Sequence, residues 1–461
     1  MAAPARSTSV SFLLLGTILN PTVSRELKIH RETLLAVNED GFISHFEAAD
    51  TAASKDLLAT VAEEQVIKLG EHGWLLPSFV DTHIHAPQYL NAGTALDKPL
   101  MEWLEAYTFA SEARIDADPE GLGAQVYSKL VSRMFESGTT LASVFGTLTV
   151  EANMVLARCF LEAGLRAHVG KVNMDLNGIA SYIETTSESL SRTRDFVSSM
   201  SALVAPLPPH RRLVQPVITP RFIPTCSREL MKGLVEIADE GGLRVQSHMC
   251  ESEGEVEWSK GMWEGKTDVQ VLHEHGLLNS RSLMAHCTHS SPADLSLLST
   301  AGTSIAHCPL SNVYFSAEKS LPLREALTAG VNVGLGSDIS GGYELGIQQS
   351  MRWAVGVARS REGVRTSGRE VEGESLAISW KESIYLATLG GALALGMGEQ
   401  VGSFAVGKSF DAQWIQLGRQ GSRVDWFGDA ECEELVEKWW CNGREEDRVG
   451  VWVQGRRLRK L

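Results

Sequence analysis

Eight short apolar runs, most of them ending on a polar residue, punctuate the middle of the chain: 78–83, 139–144, 165–173, 214–221, 243–248, 283–286, 304–307 and 331–338. Each is of strand length, and the segments between them carry the 3.6-residue period of amphipathic helices, as at 121–137, 227–240, 266–275 and 292–301. Several of these helical segments run into a glycine (Gly138, Gly241, Gly302, Gly330), the residue that helix C-caps favour. Alternating β and α units predict an α/β fold with a parallel sheet, and eight of them predict a closed (β/α)8 barrel of the TIM type. In such barrels the reacting groups gather at the C-terminal ends of the strands. His83, His85, Arg221, His248, His286 and Asp338 all end or follow one of the eight runs.

The stretch that opens the barrel pattern, WLLPSFVDTHIHAPQYLN at 74–91, also carries its clearest chemistry. Successive strand residues point to opposite faces, so His83 and His85 share a side while Ile84 turns away. Two imidazoles so placed can hold one metal ion without rearrangement of the backbone.

Outside the barrel pattern, 9–19 and 33–46 read as strands, with Asn38-Glu39-Asp40-Gly41 forming a tight turn inside the second. Residues 47–65 read as loop and a short helix, while 402–417 and 448–458 return to strand character. The two chain ends therefore predict one small β-sandwich beside the barrel. The expected division is 1–75 for the first part of the sandwich, 76–398 for the barrel and 399–461 for the second part. Residues 201–212 and 359–374 read as surface loops.

Composition narrows the partners. The chain has 461 residues, 43% of them hydrophobic and 21% charged, as in an ordinary globular protein. A formal charge of −15 disfavours nucleic-acid binding, which rests on clustered Lys and Arg; the one basic run, 456–460, reads as a solvated tail. Seven scattered cysteines without a CxxC pair fit a reducing compartment better than a disulfide framework. The apolar residues 10–15 are too few for a signal core and lack a small-x-small site after them, so they read as the first strand. No stretch approaches the roughly 18 to 20 apolar residues of a membrane span. The expectation is a cytoplasmic protein without membrane or nucleic-acid partners.

The expected metal ligands are His83, His85, His248 and Asp338. Three imidazoles and a carboxylate suit zinc with an open position for water, and iron(II) fits the same donors. Glu251 follows His248 by three residues and is the expected proton shuttle; His286 is placed beside the attacking water, with ligation as its other option. Glu251, His286 and Asp338 make the expected catalytic set. His307 reads equally as a packed histidine. The second HxH, His273 and His275, lies on a helical segment, where residues two apart diverge and cannot chelate together.

With these residues in place, PSFVDTHIHAPQY resembles the opening metal motif of the guanine deaminase family in the amidohydrolase superfamily. Further matching stretches are EWLEAYTF (102–109), VNMDLN (172–177), ITPRF (218–222), QSHMCE (246–251), MAHC (284–287), IAHCP (305–309), GLGSDISGGY (334–343) and LATLGGALALG (386–396). HAPQY together with TPRF is specific to the guanine branch, and the likeness runs from about residue 70 onward, more weakly before it. The resemblance implies hydrolysis of guanine to xanthine and ammonia in purine catabolism, by a homodimer with one zinc per subunit. It also implies substrate contacts from His85, Gln88, Arg221, Phe222, His248, Glu251 and Asp338. Three positions depart from the family pattern: Ser78 for Gly, Leu310 for Asn and Ser337 for Thr. Leu310 leaves open which group supplies the polar function of its loop.

The nearest alternative is another mononuclear deaminase of the superfamily, acting on an oxidised purine, pterin or triazine. A two-metal site bridged by a carboxylated lysine is disfavoured, because Arg221 stands at the end of the fourth run and Lys171 lies in the third. The deaminase class built on HxE and PCxxC is excluded by the lack of PCxxC. A scaffold that has lost catalysis would not be expected to keep every ligand and Glu251.

Overall fold

Side-chain alternation sorts the first strands into two apolar layers. In β1 (Val10–Pro21), Leu14 and Ile18 face one layer and Leu13 the other; in β2 (Leu27–Asn38), Leu35 and Val37 join the first, Leu34 and Ala36 the second. The structure, a computed structural model, describes residues 7–94, 96–315, 319–368 and 372–458. A short helix, Ala52–Thr60, lays Leu57 and Leu58 against the second layer. Three more strands follow: β3 (Ile43–Ala48), β4 (Val66–Lys68) and β5 (Gly73–Pro77).

Only Ser78 separates β5 from the first barrel strand, β6 (Phe79–His85). The barrel continues through β7 (Thr139–Phe145), β8 (Arg166–Gly170), β9 (Val172–Asn173), β10 (Val214–Pro220), β11 (Arg244–Met249), β12 (Ser282–His286), β13 (Ser304–His307) and β14 (Val333–Leu335). Neighbours run parallel in the order β6-β7-β8-β10-β11-β12-β13-β14, and β9 continues β8 alongside β10. The ring closes past β14: the Asp338 N–H donates to the His83 carbonyl and the His85 N–H to the Ile339 carbonyl, both at 2.9 Å. Closure needs a thin last strand. A Cβ on Gly334 would lie 2.4 Å from Thr82 Cγ2 and 2.7 Å from Gly391 Cα, so only glycine fits there.

The chain then returns to the first sheet with β15 (Ala412–Gln416), β16 (Arg448–Val453) and β17 (Arg456–Arg457). That sheet runs β17-β16-β15-β5-β1-β2-β3, with β4 beside β1. Both chain ends meet where β15 lies antiparallel to β5, Ala412 opposite Pro77. The first barrel strand is thereby held at its root by strands from both ends of the chain.

All eight apolar runs are barrel strands, and the expected helices appear at Ala124–Glu136, Arg228–Gly241, Asp268–Glu274 and Pro292–Ala301. Gly302 caps its helix in the left-handed region, but the cap after Gly241 is Gly242 (φ 60°). Two expected loops begin as helix. Residues 359–366 end the helix Ile347–Thr366, whose inner face (Ile347, Met351, Ala354, Val355, Ala358) keeps a helical period into the core. Arg359, Arg361, Glu362 and Arg365 of this stretch lie outside that inner stripe. Residues 201–204 likewise end the helix Thr186–Val204. Residues 369–371, and Arg459 and Lys460 of the basic tail, lie outside the described residues. All seven cysteines are free. Among the described residues no helix is long and apolar enough to cross a membrane.

Candidate active site

Strand ends bring the sequence-picked residues together. β6 presents His83 and His85 on one side and buries Ile84 in the outer core. His248 is the last residue but one of β11, His286 ends β12, and Asp338 follows β14. His85 Nε2 and His248 Nε2 are 3.0 Å apart; Asp338 Oδ1 is 3.2 Å from His83 Nε2 and 3.6 Å from His85 Nε2. Cys250 (φ 51°), His286 (72°), Cys287 (55°) and Asp338 (49°) hold left-handed backbone around the site. Non-glycine residues adopt that conformation at a cost, and such strain concentrates where side chains must be aimed.

These distances suit a single ion. Four donors at about 2.0–2.1 Å from a tetrahedral zinc stand roughly 3.3–3.4 Å from one another. The protonation states also fit. His248 Nδ1 lies 2.7 Å from the Arg221 carbonyl and donates to it, so Nε2 keeps its lone pair and turns it toward His85 Nε2. His248 Nε2 thus offers its lone pair to the space shared with His83 Nε2, His85 Nε2 and Asp338 Oδ1, a donor set that fits a cation. His83 Nε2 and His85 Nδ1 are buried without a hydrogen-bond partner. Burial lowers the pKa of His83 to about 3 and pushes those of His85 and His248 far below the usual value, so the ligands stay neutral.

Several surrounding residues were missed from sequence. Phe145, at the end of β7, lays its ring 5.0, 4.8 and 4.7 Å from the rings of His83, His85 and His248. Asp81 accepts from the His83 N–H (3.2 Å), the Ser337 N–H (3.0 Å) and the Ser337 hydroxyl (2.5 Å), tying β6 to the segment carrying Asp338. Its pKa rises to about 7 because burial outweighs those bonds. Ser337 therefore keeps the hydroxyl of the threonine usual there. The segment after β13 is a helix, Pro309–Phe315, in which buried Leu310 has polar neighbours: Ser311 donates to Asp338 Oδ2, and Asn312 Nδ2 faces His286 Nδ1 at 2.9 Å. With that amide donating, His286 carries its proton on Nε2. That nitrogen is 3.6 Å from Glu251 Oε1 and 4.0 Å from Asp338 Oδ2, the place of a hydrogen-bond donor to water.

Glu251 stands across from the ligands, nearly buried. Burial raises its pKa well above the ordinary carboxyl range, Asp338 adds to the rise and Arg221 opposes it. Its backbone N–H donates to Glu255 (3.0 Å) and its carbonyl accepts from Thr288 (2.8 Å). The pocket above is walled by Leu100, Trp103, Leu104, Phe222 and Phe315, with Gln88, Arg221, Glu251 and Asp338 as its polar groups. Behind that wall lies another residue missed from sequence. Glu112, fully buried, takes a two-point bond from Arg221 (2.7 and 3.1 Å) and one from Gln88 (2.9 Å). Burial works against the Arg221 charge, and paired Glu112 more than offsets it, so its pKa rises.

The remaining candidates lie apart. Lys171 donates to Glu184 (2.7 Å) and to the Val172 carbonyl, away from the ligands. His275 ends its helix bonded to the Val271 carbonyl at 2.8 Å and shares no site with His273. His307 is buried with Nδ1 unpartnered, and burial lowers its pKa to about 3.

A barrel with this donor set defines a class, and the sequence model of the amidohydrolase family matches residues 74–457. The chain belongs to the amidohydrolase family. Within it, the chain is 35% identical to the guanine deaminase of Dictyostelium discoideum over 464 residues, covering 98% of this chain and 99% of that one. It is also 35% identical to the guanine deaminase of Homo sapiens, covering 98% of each. Among solved structures, a guanine deaminase from C. acetobutylicum with guanine bound in its active site superposes with a TM-score of 0.85. That likeness comes at 28% identity, over 97% of this chain and all of the other.

Proposed function

We propose that the chain hydrolyses guanine to xanthine and ammonia as a zinc enzyme. One observation supports this beyond the family likeness: Arg221 and Gln88 line the same largely apolar pocket as His85, His248, Asp338 and Glu251. His83, His85, His248 and Asp338 would hold the metal, which when bound supplies a Lewis acid able to lower the pKa of a water to about 7.

The protein's own groups do the rest. Phe222, buried two residues past the end of β10, offers a ring face to the purine. Arg221 donates to the C6 carbonyl oxygen. Adenine carries an amino group there and would leave the pocket-facing N–H groups of Arg221 without an acceptor. Glu251 takes one proton from the attacking water and passes it to a ring nitrogen, then takes the second from the hydroxyl formed at C2 and passes it to the amine, which leaves as ammonia. A buried carboxyl with a raised pKa suits both directions of transfer near neutral pH. His286 Nε2–H steadies the water, and Asp338 accepts from its other side.

The homodimer implied by the family likeness and the cytoplasmic setting expected from composition belong to the same reading, and light scattering of the purified protein tests the first. Metal content together with ammonia release from guanine tests the activity. One zinc per chain and xanthine formation are expected. A metal-replete protein that leaves guanine untouched but turns over a pterin, a triazine or another oxidised purine would overturn the assignment.

A further inference from the structure

We infer that Glu112 is the positioning residue that sets the donor–acceptor order of the substrate pocket. The inference rests on the guanine reading above and deepens it. Glu112 sits on the helix Phe109–Ala117, is wholly shut off from solvent, and does not line the pocket. Its two oxygens accept three N–H groups: Arg221 Nη1 at 2.7 Å on Oε2, then Arg221 Nη2 at 3.1 Å and Gln88 Nε2 at 2.9 Å on Oε1. Gln88 and Arg221 are each 2% exposed and both line the pocket.

A carboxylate paired with a guanidinium can only accept, so the Gln88 amide has one permitted orientation toward it: nitrogen inward. Its oxygen is left on the other side, where the nearest partner is the Ser340 N–H at a long 3.5 Å. Arg221 commits one hydrogen from each terminal nitrogen to Glu112 and keeps its remaining N–H groups for a ligand. The wall therefore presents a donor, Arg221, beside an acceptor, the Gln88 oxygen. The complementary purine edge is a carbonyl next to a ring N–H, the lactam edge of a 6-oxopurine. A 6-aminopurine presents the reverse order, amino group beside an unprotonated ring nitrogen. Without Glu112, Gln88 could turn over and accept either order.

The test compares guanine with 2,6-diaminopurine, which keeps the C2 amino group and reverses the C6–N1 edge. In the zinc-loaded parent, guanine turnover tests the functional assignment itself, independently of the variants. In Glu112→Gln the guanine kcat/KM should fall roughly 100-fold, mainly through KM, since small misplacements of contact groups cost that much. Preference for guanine over 2,6-diaminopurine should drop at least tenfold, with metal retained. A merely structural role would lower both substrates alike and leave that ratio alone, and such a result, or guanine kcat/KM within threefold of the parent, overturns the inference. Should Glu112→Gln prove insoluble, Gln88→Met, which leaves the Arg221–Glu112 pair intact, decides the matter. Loss of the preference in that variant supports the lock, and an unchanged ratio removes it.

Discussion

Arg221→Met should do two separable things, because the arginine faces two ways. On one side it holds Glu112, a pair whose side chains are 3% and 0% exposed and joined by two bonds of 2.7 and 3.1 Å. Removing one partner of a buried ion pair strands the other charge, at about 3–5 kcal/mol. With a urea m-value of about 3 kcal/mol per molar, the unfolding midpoint should drop by roughly 1–1.7 M. Adding Glu112→Gln removes the stranded charge, so the double variant should be more stable than Arg221→Met alone, as double-mutant coupling requires. On its other side the arginine faces the substrate, and there the second substitution restores nothing. Losing the buried donor should cost about 10,000-fold in kcat/KM for guanine, or about 5 kcal/mol of transition-state stabilisation, in the single and double variants alike. Urea titrations and guanine kinetics on metal-assayed protein measure both. An Arg221→Met protein as stable as the parent would mean that the pair carries no stranded charge. A double variant that regains parental kcat/KM would reduce Arg221 to a structural role.

Other changes probe the remaining parts of the site and fold. Glu251→Gln should keep its metal and lose about 100- to 10,000-fold in kcat, the range typical of a general acid–base; a rate within threefold of the parent would place proton transfer elsewhere. His248→Ala should lose metal and activity together, checked by elemental analysis, and full occupancy would refute its place among the ligands. His168 is buried, and burial lowers its pKa from 6.5 to about 3, so below pH 6.5 the unfolded chain binds a proton that the folded one refuses. Its contribution to stability is present above pH 6.5 and fades as pH falls, by about 2 kcal/mol at pH 5, and His168→Gln should make the acid limb of a stability–pH curve shallower by that amount. Deleting residues 1–70 strips β1 to β4 from β5 and β15, and the exposed strand edge should make the product insoluble; a soluble, fully active barrel would argue that the two ends do not form one unit.

What could be read in advance follows from how local each signal is. A barrel strand buried on both faces writes itself as an uninterrupted apolar run, and His83 and His85 stand two apart at the end of one, so strand and ligand pair are legible together. His248, His286 and Asp338 became legible once the barrel was recognised, because the fold sends strand ends to a common face. Phe145 was not, since a phenylalanine ending an apolar run reads as packing whether or not three histidines rest on it. Glu112 lay further out of reach. It stands 24 residues from Gln88 and 109 from Arg221, on the helix Phe109–Ala117. Nothing local distinguishes a glutamate that water will cover from one that a guanidinium will cover; tertiary packing alone decides it. The long helix Ile347–Thr366 misled for the converse reason, its charged outer surface obscuring an inner stripe that repeats at helical spacing. The candidate metal ligands thus stand in short motifs, whereas the wall of the candidate substrate pocket is assembled from residues whose neighbours in sequence say nothing of their neighbours in space. Mutagenesis aimed at specificity should therefore begin behind the pocket, at Glu112, before the lining itself is altered.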